Sequence, residues 1–203
     1  MRITEAPPAL SREQSVVARR RHIVLVTIDL LAERGYVGTS FDGIVKRAGL
    51  SSKRMITYHF DTKDQLYAEV VAAVSEAGAS FMSPLIGKQA TAREKLRAYI
   101  TSNIKFIAEF PAHVRAVQEI AFHGSSVPAA EDMAGAALSR LVHAFHEGQR
   151  AGEFRSFDPK VMAVTVRAAI DAAAGQIQAG DDPAGYAEEL ATLVDRATTA
   201  LSP

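Results

Sequence analysis

Residues 51–63 read SSKRMITYHFDTK and crowd cations, hydroxyls, an aromatic ring and a histidine into one short stretch. Positive charge together with hydrogen-bond donors is the chemistry that holds a polyanion. Lys63 is the odd member, because it falls where a helix is predicted to begin. A cation in a first turn opposes the helix macrodipole, a placement that costs about a few tenths of a kcal/mol. A phosphate bound there would meet the free N–H groups and the ammonium together. The alternative is a solvated lysine offset by Asp61 and Asp64.

The elements that position these groups are predicted to be helices throughout, since apolar residues recur at three and four and seldom at two. Residues 1–14, with Pro7 and Pro8, read as a flexible tail. A first helix is expected from about Gln14 to Arg34, with Ile23, Val26, Thr27, Leu30 and Leu31 on one face and Gly35 as its terminator. Thr39 or Ser40 can cap a second helix that stops at Gly49, and Ser51 or Ser52 a third that reaches about His59. A fourth follows Asp61-Thr62 and runs to about Phe81. Beyond Pro84, Thr91 and Glu94 form a capping box for a helix ending near Phe110-Pro111. Further helices are expected over about 112–122 and, after a break at Gly124 to Pro128, from Glu131 to Arg150. Asp158-Pro159 and Asp182-Pro183, each an N-cap followed by an N1 proline, open the last two.

Two short helices joined by AGLS across residues 39–60 have the size and turn of a helix-turn-helix unit. Its second helix would lie in the major groove and present Ser52, Lys53, Arg54, Thr57 and Tyr58. Met55, Ile56 and Phe60 would pack inward, and the register decides which of Ile56 and Thr57 faces the core. The net charge of zero divides unevenly: residues 1–66 carry 11 Lys or Arg against 7 Asp or Glu, and residues 67–203 carry 12 against 16. A basic end that meets a polyanion fits that split. At 203 residues and 48% apolar content the chain can bury a sizeable core. Without cysteine there is no disulfide framework or thiolate site, which suits a reducing cytoplasm. No signal sequence and no run of about 18 apolar residues is evident, so no membrane partner is expected.

The stretch IVLVTIDLLAERGYVGTSFDGIVKRAGLSSKRMITYHFDTKDQL resembles the N-terminal segment of the TetR family of transcriptional regulators. Gly35-Tyr36, Thr39-Ser40, Ile44, Ala48-Gly49, Ser51, Tyr58-His59-Phe60, Lys63 and Leu66 stand in that family's order. The resemblance implies that Ser40 and Lys63 touch phosphate, that residues 51–59 form the recognition helix, and that Tyr58 and His59 lie against the DNA backbone. The expected DNA-contacting set is Thr39, Ser40, Ser51, Ser52, Lys53, Arg54, Thr57, Tyr58, His59 and Lys63. Val26, Thr27 and Val45 depart from the family's usual alanines, Thr57 stands where an aromatic is common, and one additional residue separates Gly49 from Phe60.

The expected fold is therefore all-α, with a helix-turn-helix domain over 15–62 and a six-helix ligand-binding and dimerisation domain over 63–203. In the last two helices AAIDAAAGQIQAG offers small residues for close approach, and Tyr186, Leu190, Leu193, Val194, Ala197 and Leu201 form a stripe. Such a stripe serves either a homodimer, as the resemblance implies, or the chain's own core. Ligand candidates are Phe106, Phe110, His113, Gln118, Phe122, His143 and His146, rings and polar groups that suit a small organic effector, with Arg115 or Glu119 able to orient a charged one. His143 and His146 share a helix face and with His123 could approach a metal, but no metal or other cofactor is expected. No G-x-S-x-G, phosphate-binding loop, GxGxxG or HExxH motif or cysteine nucleophile points to an enzyme. The function expected is a ligand-responsive, cytoplasmic regulator, a repressor by family resemblance, that binds a palindromic double-stranded operator as a homodimer. A helical scaffold that has lost DNA binding is the other reading.

Overall fold

The computed structural model describes residues 12–123 and 127–199, which form nine helices. Residues 1–11 of the expected 1–14 tail, the glycine-serine break at 124–126 and Leu201 lie outside the described residues. Helix α1 spans Arg12–Gly38, so Glu13 and Gln14 are helical and not part of a tail. Gly35, at φ 72°, breaks α1 where the sequence places its end, and the following residues form a short separate turn. Ser40 and not Thr39 caps α2 (Phe41–Arg47), accepting from the Gly43 N–H. The α2 terminus closes through Gly49 at φ 62°, which lets the Leu50 N–H reach the Val45 carbonyl.

Helix α3 is a single turn, Arg54–Thr57, shorter than expected. Lys53 stands at its N-cap with no side-chain cap, so neither Ser51 nor Ser52 starts it. The chain around the turn is long, and tight bonds from Met55 to Ser52 and from His59 to Ile56 extend the helical path on both sides. Ile56 and Phe60 are buried and Thr57 is exposed, which settles the register. The bulky departures fit: Val26 and Thr27 are buried, and the Thr27 hydroxyl donates to the Ile23 carbonyl at 2.7 Å.

Helix α4 (Lys63–Gly87) is capped by Thr62 and continues through Pro84 instead of stopping near Phe81. A proline removes only one backbone donor, and neighbouring helices hold the remainder. By length and mean hydropathy α4 could cross a membrane. No unbroken apolar run marks it in the sequence, and in the fold it packs against α1, α5, α6 and α7. The Thr91–Glu94 capping box starts α5 (Ala92–Glu109) as the spacing predicts. Helix α6 covers Pro111–His123, and α7 (Pro128–Arg150) begins at Pro128, where the sequence suggests a break. Asp158 and Asp182 cap α8 (Pro159–Gln178) and α9 (Pro183–Thr198).

The buried residues form two cores. The first joins α1, α2, α3, α4 and α6, with Phe106 of α5 and with Val127 and Ala130 at the start of α7. The second joins α5, α7, α8 and α9 around Phe145 and Phe154. Ion pairs of Arg93 with Asp195 and of Arg97 with Glu188 tie α5 to α9 across the surface of the second core.

Candidate nucleic-acid interface and ligand cavity

The exposed side of the α2–turn–α3 unit carries Ser40, Ser51, Ser52, Lys53, Arg54, Thr57 and Tyr58, the last 69% exposed. They stand on the outer side because Ile44, Ile56 and Phe60 use the inner face, with the Ser40 hydroxyl capping α2 and the Thr57 hydroxyl donating to the Arg54 carbonyl. Lys53 is held 2.8 Å from Asp42 of α2, which sets the two short helices against each other. His59 is half-buried, and burial together with the charges of Arg20 and Arg19 holds its pKa below the usual 6.5, favouring the neutral ring. Thr39 is the exception in the predicted set. It is 1% exposed and its hydroxyl donates to the Gly35 carbonyl at 2.8 Å, so it shapes the end of α1 instead of facing outward.

Lys63 has a third environment that neither expectation describes. Its ammonium sits 4.8 Å from the Tyr36 ring centre and 5.1 Å from that of Tyr67. The ring faces supply negative potential that offsets the unfavourable macrodipole. Burial lowers its pKa while Asp64 raises it, with a net downward direction. Burial, with Tyr36 and Asp64 nearby, pushes the Tyr67 phenol upward, so it stays protonated beneath the lysine.

Arg20 is the residue that sequence reasoning passed over. The run Arg19, Arg20 and Arg21 is visible, but nothing local distinguishes its middle member. In the fold Arg19 and Arg21 are exposed while Arg20 turns inward. Its guanidinium lies over Phe60 at 4.4 Å, donates to Glu69 at 2.6 Å and donates to the His59 carbonyl. One side chain thereby pins the end of α3 to α1 and α4.

Between the two cores lies a cavity of about 580 Å³, bounded by α4, α5, α6, α7 and α8. That size is within the usual range for small-molecule sites, roughly 300–1,000 Å³. Of the predicted ligand residues, Phe106 and Gln118 line it. Phe110 is outside, stacked on Phe106 at 4.9 Å, with the His113 ring against its edge at 5.5 Å. Phe122 is 85% exposed at the end of α6, and His143 and His146 are on the outer face of α7. Among the described residues no group of His, Cys, Asp and Glu is arranged to hold a metal, so His123, His143 and His146 do not converge. Of the residues named from the sequence on α6 and α7, only Gln118 lines this cavity.

Cavity and DNA-facing unit meet through α6. Gln118 lines the cavity, and beside it Glu119 accepts a hydrogen bond from the Tyr36 N–H at 2.9 Å. The carboxylate occupies the space that a side chain at Gly35 would need, 3.0 Å from an ideal Cβ. Arg115 is exposed and plays no part in this contact.

The all-helical fold thus sets a helix-turn-helix unit beside a ligand-sized cavity. Residues 23–70 match the profile of the family described as bacterial regulatory proteins, tetR family, so the chain carries the N-terminal domain of the TetR transcriptional regulators. No curated protein sequence matches it. Among solved structures it is similar to a TetR-family transcriptional regulator from Rhodococcus sp., at TM-score 0.79 and 22% identity over 88% of this chain and 98% of that one. AibR in complex with isovaleryl coenzyme A and operator DNA is similar at TM-score 0.74 and 19% identity, over 86% and 97%. A transcriptional regulator from Saccharomonospora viridis in complex with choline is similar at 0.77 and 20%, over 91% and 100%. At these identities the likeness is one of fold.

Proposed function

We propose that this chain is a homodimeric, effector-controlled repressor whose residues 15–62 bind a palindromic operator and whose residues 63–203 hold the effector and the dimer contact. The observation that carries it is the exposed cation and hydroxyl surface of α3 on a TetR-type domain whose core also contains α4 and α6. In this reading α3 enters the major groove with Lys53, Arg54, Thr57 and Tyr58, while Ser40, Ser51, Ser52, His59 and Lys63 reach the backbone. Thr39 acts through Ser40, by fixing the turn that presents it. A cytoplasmic location follows from the operator.

The dimer reading draws on the outer faces of α8 and α9. Val161, 63% exposed, Val164, Ala168, Ala172 and Gly175 recur along one side of α8, and Leu193, 55% exposed, stands on α9. Three members of the predicted α9 stripe are intramolecular: Val194 is buried in the second core, Leu190 packs against it, and the Tyr186 hydroxyl donates to the Ala169 carbonyl. Two copies joined on the remaining face would present two α3 helices one DNA turn apart, about 34 Å.

The effector acts through its position between the cores. A molecule that fits the cavity better in one arrangement of α4 and α6 shifts the population toward that arrangement. Glu119 and the aromatic seat of Lys63 then carry the shift to α1 and α3. AibR was solved with an anionic thioester and the Saccharomonospora viridis protein with a cation, so these relatives do not choose the effector's charge.

A mobility-shift titration on duplex DNA from upstream of this gene tests the reading. A retarded complex of one dimer, strongly weakened by salt, is expected. A protein that stays monomeric at micromolar concentration and ignores duplex DNA in dilute buffer would sink it. Two arginine variants separate positioning from contact. Arg20→Ala should lower stability by about 1 kcal/mol, since its partners are part-exposed, and should weaken DNA binding as α3 loosens. Arg54→Ala should weaken DNA binding at unchanged stability, as read from paired urea and DNA titrations.

A further inference from the structure

The cavity wall is chemically divided. The part supplied by the first core, including Val74, Gly78, Phe106 and Val117, carries no charge. All four charged side chains on the wall, Lys95, Arg140, Arg167 and Asp171, adjoin residues of the second core. Arg167 is the inner one, its side chain 21% exposed against 63% for Asp171. It donates through Nε and Nη2 to Asp171 at 2.5–3.0 Å, and through Nη1 to the Tyr99 hydroxyl and Asn103 Oδ1 at 3.3 Å each. Asn103 holds the network to α5, because its amide also donates to the Tyr99 carbonyl at 2.8 Å. The Tyr99 oxygen accepts from Arg167, which leaves its own O–H to donate. Among the described residues Lys95 and Arg140 have no ion-pair partner. Both are exposed, so this end of the cavity opens to solvent.

The wall therefore carries an excess of donors and positive charge. The single carboxylate, Asp171, is already spent on Arg167. An acceptor-rich, negatively charged group satisfies Lys95, Arg140 and Tyr99, whereas a cation would face two positive side chains that no carboxylate offsets. We infer that the cavity binds an anionic amphiphile, with an aliphatic chain along the first-core wall and a carboxylate or phosphate-bearing head group between Lys95, Arg140 and Tyr99. This rests on the reading of the cavity as the effector site and adds the chemical class of the effector.

Calorimetric titration of the full-length protein tests it with four probes of one chain length, kept below micelle-forming concentrations: dodecanoate, dodecanoyl coenzyme A, dodecan-1-ol and dodecyltrimethylammonium. Dodecanoate or its thioester should bind about tenfold more tightly than the alcohol, and the cation more weakly than either. A tighter thioester assigns the head to phosphate and a tighter dodecanoate assigns it to carboxylate; both uphold the inference. The double variant K95Q/R140Q, altered only at exposed positions, should lose about that tenfold for the anions and bind the alcohol as before. Equal binding of alcohol and anion, tighter binding of the cation, or anion binding unchanged in the variant would overturn the assignment and leave the cavity as an effector site. Failure of all four probes to bind would remove both readings.

Discussion

Gly148→Ala should lower the stability of the protein by about 1–3 kcal/mol, as overpacking of a filled core does. An ideal Cβ at Gly148 falls 2.2 and 2.3 Å from two carbons of the Phe154 ring. The ring cannot swing aside, because it is 5% exposed and meets Phe145 at 6.0 Å and Phe157 at 6.4 Å. Its backbone is fixed as well. The Glu153 and Phe154 N–H groups both donate to the Gly148 carbonyl, and the Arg155 N–H donates to Thr198. The strain should therefore spread into the α7–α8 connection and the end of α9. For a chain of this size the melting temperature should fall by roughly 2–10 °C. Gly135→Ala, on the same helix, provides the comparison: nothing lies within 4 Å of its Cβ and its backbone is helical, so it should gain about 0.5–1 kcal/mol. Thermal unfolding of the two variants beside the parent reads both signs. Equal effects would mean that the Phe154 packing is not as described.

The second large effect is on DNA. Replacing Lys53, Arg54 and Lys63 together by alanine removes three cations that the proposed interface sets against phosphate or base edges. With two copies in the proposed dimer six such contacts are lost, so the slope of log affinity against log salt should shrink by up to about five units, and affinity near physiological salt should drop by at least about a hundredfold. Lys53 is paired with Asp42 and Lys63 rests on two rings, so each must give up part of an existing contact to reach DNA. Arg54 should consequently contribute the largest single share. An unchanged salt slope in a variant that unfolds like the parent would favour the scaffold reading over the regulator.

Much of the fold is legible locally. Caps at Ser40, Thr91, Asp158 and Asp182 act within three residues of themselves, and Gly35 and Gly49 terminate helices through their own φ angles. Those signals are short-range, so composition and spacing suffice to read them. The exposed set on α3 is legible for a related reason: polar residues that punctuate an apolar pattern of period 3.6 must face away from it. Its length was not, since α3 is one turn held by Arg20, Phe60 and Glu69 instead of by a cap of its own.

The sequence by itself determined an all-helical chain, the position of the helix-turn-helix unit and the residues that unit turns outward, because each depends on neighbours a few positions away. Only the tertiary structure decided that Arg20 is a strut, that Glu119 joins the cavity wall to α1, that Phe122 and the α7 histidines stand outside the cavity, and that charged side chains from α5, α7 and α8 line it together. Those outcomes depend on which helix faces meet. Lys95, Arg140 and Arg167 come from three helices, and no spacing within any one of them could announce that their charges share a site.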